Sequence, residues 1–181
     1  EEVRKKTGAA FIHPSNDLNV IKGHSSCAIE LFRDTETLDA VFTPVGGGGL
    51  ISGIAMGFKN FSPETKIYGG EPLNADDAYQ SMKAGKIIPV SNPDTIADGL
   101  RTSLGDVTFP IIREYVLEIF TVTEDEIIYA MRQVWERMKI VIEPSSAVAF
   151  AAMLKNIEKF KNKKIGIIVS GGNVDLNHLP F

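Results

Sequence analysis

Asp39-Ala40-Val41-Phe42-Thr43-Pro44-Val45-Gly46-Gly47-Gly48-Gly49 runs directly into Leu50-Ile51-Ser52-Gly53-Ile54-Ala55-Met56. Val41, Phe42 and Val45 form a short apolar run of strand character, with Pro44 near its exposed end. Consecutive glycines follow, and from Leu50 the apolar positions take helical spacing through Phe58. The stretch reads strand, glycine loop, helix. Glycine accepts positive φ and has no Cβ, so several amides can turn inward and let an oxyanion approach the backbone. The helix that starts there brings the positive end of its dipole to the same place. A phosphate is the natural occupant. The plainer alternative is a tight connection, for which one or two glycines suffice. No Gly-Lys-Ser/Thr ending follows and Gly-x-Gly-x-x-Gly spacing is absent, which points away from nucleoside triphosphates and NAD.

The chain has 181 residues, 44% hydrophobic and 23% charged, the composition of about one globular unit. A net charge of −4 disfavours nucleic acid or an anionic membrane as partner. The single cysteine, Cys27, rules out an internal disulfide framework and fits a reducing, cytoplasmic compartment. No apolar run approaches the roughly 20 residues needed to span a bilayer. Glu1-Glu2-Val3-Arg4-Lys5-Lys6 shows neither a signal-peptide core nor an initiator Met, which leads us to expect a segment of a longer polypeptide.

Along the chain, Glu1–Thr7 reads as the charged tail of a helix stopped by Gly8, and Ala9–Ile12 as a short buried strand. His13-Pro14-Ser15-Asn16-Asp17 is a loop, and His13 lacks a second residue at metal-ligand spacing. Asn19–Phe32 is helical in pattern, with Cys27 a small core residue rather than a nucleophile. Lys66–Gly70 is a second strand, from whose carboxyl end Glu71-Pro72-Leu73-Asn74-Ala75-Asp76-Asp77 emerges. Ligands of parallel sheets gather at such ends. The carboxylates there suit Mg²⁺, Mn²⁺ or Ca²⁺, or else belong to a solvated turn with a helix start near Asn74. Asp76–Ala84 and Thr108–Leu117 read as helices and Glu118–Val122 as a strand. Thr123–Glu126 forms a capping box opening a helix to about Met138. Glu143-Pro144-Ser145 opens a helix with a small-residue face, and Lys163–Val169 is a buried strand leading to Ser170-Gly171-Gly172-Asn173. Ser170 is a turn former or a hydroxyl placed for a ring-shaped cofactor. The alternation predicts an α/β fold with a doubly wound, mostly parallel sheet.

Pro44–Gly49, Glu71–Asp77, Thr95-Ile96-Ala97-Asp98-Gly99, Trp135-Glu136-Arg137-Met138-Lys139 and Val169–Leu176 occur in that order. Together they resemble the serine racemase and serine/threonine dehydratase group of fold-type II pyridoxal-phosphate enzymes, over nearly the whole chain. The resemblance implies that the amides of Gly46, Gly47, Gly48 and Gly49 hold the cofactor phosphate. It implies that Ser170 meets the pyridine nitrogen and that Gly99 and Glu143 line the ring. Glu71, the carbonyl of Ala75 and Asp77 match the family's divalent-cation site, which favours Mg²⁺ or a related ion over the solvated turn. Lys139 and Asn173 match positions that contact Mg·ATP, an activator in the racemases. A homodimer is implied in the same way.

The family's Schiff-base lysine lies upstream of the glycine loop in a Ser-x-Lys-x-Arg-Gly context that no lysine here has; Lys22 and Lys59 read as helix-surface residues. Residues 1–17 would then end the small domain and 18–181 form the second half of the large domain. Such a chain alone is expected to be inactive. The intact enzyme would take the α-proton from serine or threonine and either return it or eliminate water, giving pyruvate and ammonia from serine. Two departures stand out. Gly23-His24-Ser25-Ser26 replaces the frequent Gly-Gln-Gly-Thr, and Ser15 stands where the racemases typically have Asn. The alternatives are a non-catalytic phosphate- or nucleotide-binding module, or an L-threonine or hydroxyaspartate dehydratase.

Overall fold

The structure is a computed structural model that describes residues 2–35 and 37–181. Glu1, the first residue of the charged end, lies outside the described residues. The chain folds as α1 (Glu2–Thr7), α2 (Leu18–Asp34), β1 (Ala40–Pro44), α3 (Gly49–Phe61) and β2 (Lys66–Pro72). It continues through α4 (Asp77–Ala84), α5 (Thr108–Tyr115), β3 (Val116–Val122), α6 (Glu124–Gln133), α7 (Pro144–Lys155) and β4 (Ile165–Ile167). The four strands form one parallel sheet in the order β3-β2-β1-β4.

The sheet is apolar on both faces, and the side-chain alternation of β1 divides the core. Ala40 and Phe42 join Tyr68, Ile127, Met131, Ala147 and Val148 on one face. Val41 and Val45 join Ile51, Ile54, Phe58 and Ile112 on the other. The chain therefore passes from β1 through α3 to β2, and on to β3, across one face. It returns through α6 and α7 across the opposite face to β4. This is the doubly wound arrangement expected from the sequence. The topological switch falls between the carboxyl ends of β1 and β4, where the crevice of such a sheet opens.

Small residues set the layer spacing. Ser145, Ser146, Ala147, Ala149, Ala151 and Ala152 of α7 are buried. A Cβ on Gly70 would sit 2.8 Å from the carbonyl of Val148, so α7 lies against the β2 backbone itself. On the other face, Cβ atoms added at Gly53 and Gly57 would come within 2.5 Å of α2. Phe42 stacks on Tyr68 at 5.1 Å, and Phe160 meets Phe42 edge-on at 4.9 Å. Asp17 caps α2, accepting from the amides of Asn19 and Val20, and Thr123 with Glu126 closes the expected capping box.

Several expectations change. The helix expected over 108–117 ends at Tyr115, with Val116 and Leu117 opening β3 instead, and β2 runs past Gly70 to Pro72. Ala9–Ile12 is not a strand; no described strand lies beside it to accept ladder bonds, and Phe11 is 66% exposed. Pro44 is buried rather than at an exposed end. Val45 donates to the Gly70 carbonyl, so the missing N–H of Pro44 faces β4, where the ladder has already ended at Phe42–Ile167. The α6 helix stops at Gln133 and passes into a π turn over Val134–Met138. Trp135 Nε1 there donates to the Ile142 carbonyl at 2.9 Å, and Lys139 adopts φ 60°. β4 pairs only at Ile165–Ile167, because β1 is its one neighbour among the described strands, and Val169 is left outside it. No described helix is long and apolar enough to cross a membrane.

The glycines make a stability contrast. A Cβ at Gly57 would meet Ala28 Cβ at 2.5 Å, whereas one at Gly23, also inside a helix, has nothing within 4 Å. Gly57→Val is expected to destabilise by about 1–3 kcal/mol through overpacking. Gly23→Ala is expected to stabilise by about 0.5–1 kcal/mol. Urea unfolding midpoints of the two variants check both signs.

Candidate cofactor site

The glycine loop closes β1 at the switch point. Gly48 takes φ 83° and serves as the residue before α3, a conformation that favours glycine. Gly47 and Gly49 are required for a different reason: a Cβ at either would come 2.2 Å from Ser15 Oγ and 2.8 Å from Ser15 Cα, respectively. The 13–16 loop is thus pressed onto the turn. His13 Nδ1 organises that loop, accepting from the amides of Ser15 and Asn16 at 3.2 and 2.9 Å. Asn16 ties it to the start of α5, its Oδ1 accepting from the Val107 amide at 2.9 Å. From below, Thr108 Oγ1 donates to the Gly47 carbonyl at 3.0 Å, which fixes the peptide planes of the turn. Among the described residues, the amides of Gly46, Gly47 and Gly48 donate to no protein acceptor. Carbonyls are held and amides are left open, at the head of a helix. That is the electrostatics of an anion cradle.

A cavity of about 200 Å³ lies over this turn, walled by Ser15, His24, Gly46–Gly49, Gly99 and Ser170. Larger cavities, about 530 and 510 Å³, open at the amino-terminal side of the strands around Lys66. The smaller one carries the open amides and sits at the switch point, so the chemistry belongs there. Ser170, beyond β4, faces the glycine loop across it. Its Oγ lies 3.2 Å from Ser146 Oγ, which also accepts from the Gly171 amide at 2.6 Å. Gly99 reaches the cavity because its amide donates to Ser145 Oγ at 3.1 Å, pinning the 95–101 loop to α7. Glu143 does not wall the cavity. It braces the loop after β4, its Oε2 accepting from the Asn173 amide at 2.8 Å while its own amide donates to the Gly171 carbonyl.

Sequence reasoning missed the supports of this site. Thr108, Ser145 and Ser146 are buried hydroxyls whose role depends on contacts far along the chain. Their only sequence signal is position in the first turn of a helix. Three of the buried side-chain polar atoms without a partner, His24 Nδ1, Thr43 Oγ1 and Ser52 Oγ, belong to the elements that converge on the turn. Cys27 is half-buried against the α2–α3 core, and burial pushes its thiol pKa up, as befits an inert residue.

Glu71, paired near the end of β2, and Asp77, at the head of α4, are buried rather than part of a solvated turn. Glu71 is fully buried, and its oxygens each accept at 2.8 Å from the amides of Ala78 and Tyr79 at the head of α4. Asp77 Oδ2 accepts from the Leu104 amide at 3.0 Å, while Oδ1 is buried without a partner. Burial outweighs the two amide bonds and lifts the Glu71 carboxyl to about 9. Burial likewise lifts Asp77 to about 6. Ala75, whose carbonyl completes the expected donor set, is buried in the turn between them. Among the described residues no group of three or more His, Cys, Asp or Glu side chains could hold a metal ion, so any cation here rests on two carboxylates and backbone oxygen. Lys139 and Asn173 are both exposed, and no hydrogen bond joins them.

Comparison with known proteins agrees with this geometry. The chain matches the family described as pyridoxal-phosphate dependent enzyme over residues 1–171. It is 53% identical over 173 residues to a serine racemase of Dictyostelium discoideum, covering 93% of this chain and 53% of that protein. It is 48% identical over 180 residues to a beta-hydroxyaspartate dehydratase of Paracoccus denitrificans, covering 99% of this chain and 57% of that one. The crystal structure of a threonine deaminase from T.th. superposes with a TM-score of 0.91 at 42% identity, over 96% of this chain and 65% of that chain. The chain spans about half the length of the curated relatives it matches. With the fold, the switch-point cradle and these likenesses in agreement, the chain belongs to the pyridoxal-phosphate dependent enzyme family.

Proposed function

We propose that the intact protein is a pyridoxal-phosphate racemase or dehydratase acting on serine or a related hydroxy amino acid. The observation that carries the proposal is the turn of open amides at Gly46–Gly48, facing a hydroxyl, Ser170, across a small cavity at the switch point. The residues present fit the cofactor: an anion cradle at one end, a neutral hydrogen-bonding group at the other. When bound, the cofactor supplies an electron sink that acidifies the α-C–H bond of an attached amino acid.

This chain's part is to bind and orient. The glycine amides and the head of α3 hold the phosphate. Ser170 offers the ring nitrogen a hydroxyl that can donate or accept, and its neighbour Ser146 is anchored by the Gly171 backbone. A hydroxyl, unlike a carboxylate, does not force that nitrogen to stay protonated, which tempers the electron sink. Gly99, with no side chain, leaves the cavity wall open. Glu143 holds the Ser170 loop through Oε2 and would line the ring from beside that loop. The base that takes the α-proton is the lysine the family resemblance places outside these residues, so this chain by itself is inactive. Residues 1–17 complete a small domain and 18–181 half of a large one, in a cytoplasmic homodimer. The similarity to a beta-hydroxyaspartate dehydratase supports a second reading, elimination from a hydroxylated dicarboxylate. Assays for D-serine, pyruvate and oxaloacetate separate the branches.

Glu71, Asp77 and the Ala75 carbonyl are proposed to hold Mg²⁺ or Ca²⁺, supported by the unpartnered, buried Asp77 Oδ1. Lys139 and Asn173 are proposed to contact ATP in the intact protein; Lys139→Ala is then expected to remove any ATP stimulation and leave the basal rate standing.

In the holoenzyme, Ser170→Ala is expected to shift the cofactor absorbance band and lower kcat/KM for the amino acid by about tenfold or more, about 1.4 kcal/mol of transition-state stabilisation. An unchanged spectrum and rate remove Ser170 from the site. For the cation site the sign follows from the raised carboxyls. Protons held by Glu71 and Asp77 in the folded state stabilise it fully below pH ~4, and that contribution is lost as pH rises through about 6 and then about 9. Without divalent cation, the melting temperature should fall over this interval; saturating Mg²⁺ or Ca²⁺ should flatten the fall. Asp77→Ala should abolish the cation's effect. Equal slopes with and without cation rule the site out.

A further inference from the structure

His24 lies within α2, where it presses on α3: a Cβ on Gly53 would come 2.5 Å from His24 Cβ. Glycine at 53 therefore brings the histidine up to the head of α3, and His24 helps wall the cavity over Gly46–Gly49. Its Nδ1 is shut off from water with no hydrogen-bond partner. Among the described residues, neither ring nitrogen is bonded to protein. His13 nearby is different, since its Nδ1 is engaged by the amides of Ser15 and Asn16. Whichever role the tautomer gives it, a buried Nδ1 without a partner is destabilising. The same cavity is lined by Gly46, Gly47 and Gly48, whose backbone amides also lack acceptors. One ligand oxygen cluster would satisfy both sets. A ring flip exchanges which edge carries nitrogen toward the cavity, so either nitrogen can serve as donor.

We propose that His24 is a side-chain ligand of the cofactor's phosphate, adding an imidazole N–H donor to the amides of the glycine loop. The inference rests on the pyridoxal-phosphate reading above. Hydrogen bonds to a charged acceptor are the strong kind, so the contact should be visible in affinity.

The test compares pyridoxal phosphate with pyridoxal, which lacks the phosphate, binding to the full-length apoprotein by equilibrium dialysis. His24→Ala is expected to weaken pyridoxal phosphate about tenfold or more while leaving pyridoxal within about twofold. His24→Gln, which keeps an N–H donor, should recover most of the loss. Inorganic phosphate should raise the melting temperature of the parent apoprotein more than that of His24→Ala. Equal weakening of both ligands would mean a structural role, and no weakening would mean no contact; either overturns the proposal. Should His24→Ala fail to fold, His24→Leu, closer in volume, carries the same comparison. A parent that binds neither ligand fails the cofactor reading, and this inference with it. A parent that binds pyridoxal phosphate with indifferent His24 variants fails this inference alone.

Discussion

The candidate site depends on how closely Ser15 approaches the turn at Gly47–Gly49. A methyl group at either of those glycines would overlap Ser15, so the loop ahead of α2 and the loop after β1 can occupy their places only together. That contact fixes where α2 begins. Asp17 caps α2 two residues later, and Asn16 reaches the head of α5. The α2–α3 interface then follows from a second set of close approaches at Gly53 and Gly57. The cavity is the space left when backbone meets backbone, which explains a wall made largely of glycine and hydroxyl residues. Side chains of ordinary size would fill it.

Across the sheet, alanine and serine achieve the same closeness. α7 lies close enough to Gly70 for its own carbonyls to contact the strand, and its first-turn hydroxyls, Ser145 and Ser146, are thereby delivered to the Gly99 and Ser170 loops. One helix therefore positions two walls of the site that lie far apart in sequence. A larger residue on the small face of α7 would lift the helix from the sheet and move both loops at once. Packing and site geometry are a single property here.

Much of this is legible in the sequence because the decisive signals are local. A run of glycines between an apolar strand and an amphipathic helix can be read from Val41 to Phe58 without knowing what lies opposite. The capping box at Thr123–Glu126 is likewise written in consecutive residues. Ala9–Ile12 misleads because four apolar residues say nothing about whether a neighbouring strand exists. The π turn at Val134–Met138 is invisible in the sequence, where nothing marks that Trp135 will meet the Ile142 carbonyl. The supports of the cradle are illegible for the same reason: Thr108 meets Gly47 across 61 positions of chain. Resemblance alone places Glu143 at the ring. What the fold itself adds is one bond from the Asn173 amide to Oε2, which ties the loop after β4 to the head of α7.

The buried carboxylates extend this logic from shape to charge. Glu71 has a helix head to itself and two amide bonds, the arrangement that ordinarily keeps a carboxylate ionised. Full burial reverses the balance, and nearby Asp77 and Asp76 add to the reversal. No described cation side chain bonds to Glu71 or Asp77. At neutral pH Glu71, lifted to about 9, holds its proton, whereas Asp77, lifted only to about 6, is left with a largely buried negative charge that nothing in the described side-chain set compensates. Asp77 Oδ1, buried and without a partner, marks where a compensating positive charge would be best received. Asp77 also holds the Leu104 amide, and Leu104 packs against the turn at Gly48. Asp77 and the turn at Gly48 are therefore joined by one hydrogen bond and one apolar contact, both made through Leu104.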